Sequence, residues 1–134
     1  MGATMQITFD AADPPGLGAF WMKVLGYVEQ PPPPGFDSWD DALDAMGIDR
    51  SDPDRAFACV DPDGVGPRLF FVKVPEGKTA KNRVHLDVGV GPKRMDGLAS
   101  ELEALGGTRV AEFDEPEGHW ITMLDPEGNE FCLQ

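Results

Sequence analysis

The chain contains the same structural unit twice, and this repeat limits its fold more than any other feature. The first copy opens with MQITFDA, an alternating strand, followed by DPPGLGAFWMKVLGY. In that segment Leu17, Phe20, Trp21, Val24 and Leu25 recur at helical spacing, and Asp13 stands before the proline pair as an N-cap. A short strand at Tyr27 to Gln30, a long loop, FACV, the turn DPDG and RLFFVKV complete the copy. The second copy keeps this order: VHLDVGV, the helix PKRMDGLASELEALGG with Met95, Leu98, Leu102 and Leu105 and a closing Gly pair, TRVAEF, HWITML, DPEG and NEFCLQ. LGY at 25–27 answers LGG at 105–107, and VDPDG at 60–64 answers LDPEG at 124–128. The offset falls from 79 or 80 at the helix end to 64 at the turns, because the first copy carries the longer middle loop QPPPPGFDSWDDALDAMGIDRSDPDR. The pattern predicts an α+β fold: one domain over 1–134, built from two βαβββ modules at about 4–75 and about 83–134.

Two equivalent sheets about a pseudo-two-fold axis enclose a concave surface, with helices on the outer faces. Strand alternation then sorts the side chains. Met5, Ile7 and Phe9 are expected to face the helices, which leaves Gln6, Thr8 and Asp10 toward the concavity. In the second module Val84, Leu86 and Val88 are expected outward, with Arg83, His85 and Asp87 inward.

Composition excludes several partners. A net charge of −13 repels nucleic-acid phosphates. No run of 18 apolar residues offers a membrane span, and MGATMQITFD lacks the basic and apolar regions of a secretory signal, so a cytoplasmic protein is expected. Cys59 and Cys132 form no disulfide framework or CxxC pair, and Cys59 reads as a small core residue. Lys73, Lys78, Lys81 and Arg83 cluster before His85, either as a landing site for an anion or as partners for the acidic surface. DPDG and DPEG lack the ligand spacing of a calcium loop and read as turns; no GxGxxG, P-loop, GxSxG or HExxH motif is present.

The repeat, FDAADPPGLGAFWMKVLGY, the central KNRVHLDV and the closing LDPEGNEFCL together resemble the vicinal oxygen chelate superfamily. Within it they are similar to the glyoxalase-like group found in actinobacteria, which includes bleomycin-resistance-type proteins. The resemblance spans essentially the whole chain. It implies a small-molecule ligand and a homodimer, in a superfamily of isomerases, lyases, epimerases, dioxygenases, fosfomycin-modifying transferases and sequestering proteins without chemistry. Because fold does not carry function, the site residues must decide.

Metal-dependent members of this superfamily place four ligands on the inward strands. Carried over by position, the resemblance puts Gln6 and His85 on the opening strands and Cys132 on the last strand, with Phe71 as the fourth. Phe71 cannot bind a metal, and Gln/His/Cys without a carboxylate suits the usual divalent ions poorly. A divalent metal would need Glu130, two residues before Cys132 on the same face, to substitute. The expectation is a cavity with vestigial metal positions at Gln6, Phe71, His85 and Cys132 and no working cofactor.

His85 then reads first as a polar residue lining the cavity. Its second reading is acid–base chemistry with Asp87 as partner, or with Asp10 or Glu130, and its third is metal ligation. The expected ligand-binding set is Gln6, Thr8, Phe71, Arg83, His85, Trp120, Glu130 and Cys132, with Phe71 and Trp120 as apolar walls or plain core. His119 reads as a loop edge. SWDDALDAMGI predicts a short helix whose Trp39, Ala42, Leu43 and Met46 share a face; it reads first as core packing, and its second reading, behind PPPPG in the one long loop of the repeat, is a lid.

Overall fold

Strand β1 (Gln6–Ala11) alternates outward Gln6, Thr8 and Asp10 with inward Ile7, Phe9 and Ala11, the pattern of a strand covered on one face. The molecule is described here from a computed structural model covering residues 2–134. Helix α1 (Pro14–Leu25) follows, begun by Asp13, whose carboxylate accepts from the Gly16 amide, and by two prolines with preset φ. It ends at Gly26, whose φ of 70° is the left-handed geometry a C-cap requires. Then come β2 (Val28–Glu29), α2 (Trp39–Ala45), β3 (Ala56–Val60) and β4 (Arg68–Lys73). The second module runs β5 (Leu86–Val88), α3 (Pro92–Ala104), β6 (Thr108–Glu115), β7 (Gly118–Leu124) and β8 (Glu130–Leu133).

Each module forms one four-stranded sheet with the same topology, β1-β4-β3-β2 and β5-β8-β7-β6. In both, the opening strand lies parallel to the closing strand, and all other pairs are antiparallel. The architecture is the duplicated α+β fold that the repeat predicts. Its inner side is one apolar cluster shared by the modules. Phe20 and Trp21 of α1 meet Phe131 of β8 at ring separations of 5.9 and 4.9 Å, and Phe9 lies 5.1 Å from Phe71. Phe20, Trp21, Phe71 and Phe131 are fully buried, and each contributes about 1.5–3 kcal/mol. Gly18 allows α1 to approach the sheet: a Cβ there would run into the Phe57 ring.

The opening strands are shorter than their alternation suggests. Met5 and Val84, both expected to pack outward, are 77% and 79% exposed. Around Val84 the incoming segment bends, because the Asn82 amide is held by Glu130 and the chain must turn to enter the sheet; β5 therefore starts only at Leu86. The expected strand at Tyr27 to Gln30 shrinks to β2. The predicted short helix forms as α2, capped by the Ser38 hydroxyl on the Asp41 amide, with Ala42 buried and Met46 exposed.

Candidate functional site

The site lies on the polar faces of β1 and β5, each an edge strand with one hydrogen-bonded neighbour. Ile7 and Leu86 line the cavities between these strands. The first, of about 420 Å³, also takes Thr8 and Asp10 from β1, Lys78 and Asn82 from the connecting segment, and His85 and Glu130 from the second module. The second, of about 650 Å³, takes Asp87. The structure thus brings Thr8, His85 and Glu130 into one cavity, while Gln6, Phe71, Arg83, Trp120 and Cys132 line neither.

Register explains which residues share a face. Gln6 sits beside Arg68, Thr8 beside Phe70, and Phe9 beside Phe71. Phe71 therefore shares the helix-covered face with Phe9; it is fully buried and packs on Phe9 and Phe57. The placement of Phe71 on the concavity is corrected: the polar-face residue is Phe70. Ile7 answers Leu86, so Leu69, beside Ile7, answers Phe131, beside Leu86. The closing strands thus differ by 62 positions (69 to 131), not by the 64 of the turns (61 to 125), because DPDGVGP is two residues longer. A one-residue error in a strand moves every side chain to the opposite face. A parity signal was present in RLFFVK, since the cation Arg68 cannot face a core and Phe70 shares its side.

In the first module this face is organised by a guanidinium. Arg68 donates to the Gln6 and Gln30 side-chain oxygens at 2.7 Å each and lies 5.0 Å from the centre of the Phe70 ring. The Gln6 amide nitrogen in turn donates to Thr8. In the second module Asp87 is the direct neighbour of Cys132, whose sulfur lies 3.4 Å from the Thr122 hydroxyl. His85 Nδ1 stands 3.5 Å from an Asp87 oxygen, and both side chains are about half exposed. Trp120 stacks on Phe113 at 5.1 Å, away from the seam. His119 pairs with Glu112 at 2.8 Å.

The donors do not suit the divalent metal of the superfamily. The Gln6 oxygen already accepts from a cation, Phe70 offers no donor, and Cys132 is soft where hard oxygens are needed. Glu130, the substitute carboxylate, is committed elsewhere. It accepts from the Asn82 amide at 3.0 Å and pairs with Lys78 at 3.1 Å. Those bonds, the Asn82 amide first, hold its acid form down to about 2. Among the described residues no group of three or more His, Cys, Asp or Glu is placed to share an ion. Burial pushes the Cys59 thiol up to about 11, which leaves it a packing residue. Of the basic cluster, Lys73 pairs with Asp52 and Lys78 with Glu130, so half of it serves the acidic surface.

The duplicated topology, with one four-stranded sheet and the same strand order in each module, defines a vicinal oxygen chelate protein. Within that superfamily the chain belongs to the glyoxalase-like domain family, which matches residues 6–134. Solved structures share the fold. A fosfomycin resistance protein, FosX, from Mesorhizobium loti superposes with a TM-score of 0.69 at 14% identity, covering 100% of this chain and 91% of that one. A possible glyoxalase from Bacillus cereus gives 0.66 at 13%, covering 100% and 99%. A FosX variant from Listeria monocytogenes, complexed with Mn(II) and 1S,2S-dihydroxypropylphosphonic acid, gives 0.69 at 14%, covering 100% and 90%. No curated protein matches in sequence. Among the described residues no helix is long and apolar enough to cross a membrane.

Proposed function

We propose that this protein binds a small organic molecule in the seam cavity between its modules, without a metal centre, in the manner of a sequestering or carrier protein. The observation that carries this reading is the Arg68 guanidinium bonded to Gln6, a cation occupying the oxygen that a metal would need. A bound cation of either kind would repel the other at this separation. The seam supplies what an organic ligand needs: apolar walls from Ile7, Phe9 and Leu86 and a few polar groups from Thr8, Asn82 and His85. The protein is proposed to act as a homodimer, as the superfamily resemblance implies, and in the cytoplasm, as the reading of its N-terminal segment for a secretory signal suggests.

Elemental analysis after equilibration with Mn(II) or Zn(II) tests the reading; substoichiometric metal is expected. Stoichiometric metal that disappears on His85→Ala would overturn it. Against a panel of metabolites and antibiotics, a true ligand at a hundred times its Kd adds about 2.7 kcal/mol and raises Tm by several degrees. A second reading rests on the His85–Asp87 pair, which is arranged for a cofactor-free general base. A turnover that falls with both His85→Ala and Asp87→Ala would favour it.

A further inference from the structure

A third cavity, apart from the two at the seam, lies on the first module beside α2. It measures about 490 Å³ and is lined by Trp39, Leu43, Ala58, Phe70 and Arg68 among others. Of its three arginines, Arg50, Arg55 and Arg68, the last two form no ion pair with a carboxylate of the described residues, and Arg68 is the one held by defined neutral partners. Its recorded partners are two neutral amide oxygens and the Phe70 ring. Two of its five donors are thereby engaged, its plane is fixed, and its charge is left without a counterion. Trp39 is held in place by its own ring nitrogen, which donates to the Gln30 carbonyl at 2.8 Å. The same residue, Gln30, thus anchors both the aromatic wall and the cation.

We infer that this cavity is a binding site for a flat organic monoanion, an aromatic or conjugated carboxylate. The carboxylate would take the remaining Arg68 donors, and the ring would lie against Phe70 and Trp39. The rim sets the charge. It carries Glu29, Asp40, Asp49, Asp52 and Asp54 against Arg50, Arg55 and Arg68, and this excess of carboxylates opposes a doubly charged oxyanion and gives a bare inorganic anion little attraction from a distance. The apolar wall must therefore contribute to affinity. The cavity shares no lining residue with the seam, although Arg68 also holds Gln6 there, and its test reads Trp39 and Ala58, which the seam does not contain.

The experiment is a titration followed by amide and indole NMR shifts on the whole chain, with sodium benzoate, benzamide and inorganic phosphate against a sodium chloride control. Benzoate should shift the Trp39 indole N–H and the Ala58 amide, with benzamide and phosphate weaker by about tenfold or more, the value of a charge-assisted hydrogen bond to a fixed guanidinium. Arg68→Met should remove that advantage, reducing benzoate affinity about tenfold and leaving benzamide unchanged within about twofold. Arg68→Lys, which keeps the charge and loses the planar fork, should fall between them and serves if the Met variant fails to fold. Equal binding of benzoate and benzamide, or shifts confined to His85 and its neighbours, would overturn the proposal. So would the absence of any shift at Trp39.

Discussion

The two modules carry matching DPxG turns that do opposite work. In the second, Asp125 is 3% exposed and accepts from the Trp21 indole across the modules at 3.0 Å, from the Asn129 side chain, and from the Glu127 and Asn129 amides. Beside it, Glu127 accepts from the Ala12 and Asp13 amides, tying the end of β1 to the second module. In the first, the hydrogen bonds of Asp61 come from Asp63, Val65 and Gly66, all within its own turn. One signature is an inter-module clamp and the other a local loop. The difference arises because α1 lies where it can reach the second turn, and because the first turn is two residues longer. The polar faces diverge in the same way: Gln6, Arg68 and Phe70 stand where the second module has His85, Glu130 and Cys132. Duplication supplied two equal frames, and each has been filled for a different task.

The sharpest break is between the faces of β4. Phe71→Ala should cost about 3–5 kcal/mol, since it empties a fully buried site, whereas Phe70→Ala should cost less than half as much. Chemical denaturation of both variants decides this, and equal losses would refute the register assigned here. Next is the pair of turns. Asp125→Ala should cost about 3 kcal/mol, because it strands a buried indole N–H and opens the clamp, and Asp61→Ala should cost clearly less.

A smaller effect separates the closing strands. Glu130→Gln should speed exchange of the Asn82 amide by about tenfold while leaving core amides protected. Its pH dependence has a defined sign. The Glu130 pKa is lowered in the folded state from 4.5 to about 2, so its stabilisation is complete above pH 4.5 and is lost as pH falls from there toward 2. That acid sensitivity of Asn82 exchange should vanish in the Gln variant. The smallest effect concerns the other edge. His85→Ala should change stability by no more than about 0.5 kcal/mol, because the imidazole is about half exposed and bonded to no core group. A large loss there would mean that His85 holds the seam together.

Several features were readable from particular residues. Asp13 before two prolines fixed the start of α1, and the LGY and LGG signals marked its end and that of α3. The two DPxG turns revealed the repeat, and the parity of QITFDA correctly divided β1 into two faces. The first misreading was in LFF, where two adjacent phenylalanines give alternation no phase of their own and only Arg68, two residues before Phe70, sets it. The second was at Val84, where an apolar residue continues the strand pattern but lies in a bend imposed by Asn82 and Glu130. The Arg68 site was illegible for a related reason. Its partners Gln6 and Gln30 lie 62 and 38 positions away, and nothing local marks their meeting.

The sequence by itself determined the duplicated α+β frame, its caps and its turns, because these depend on neighbours within a few residues and on periods of 2 and 3.6. Tertiary structure alone decided which phenylalanine faces the helices, which acidic turn clamps the modules, and which amides hold Arg68. Those outcomes depend on strand register and on contacts between distant segments, where a shift of one residue or two inserted residues reassigns every partner.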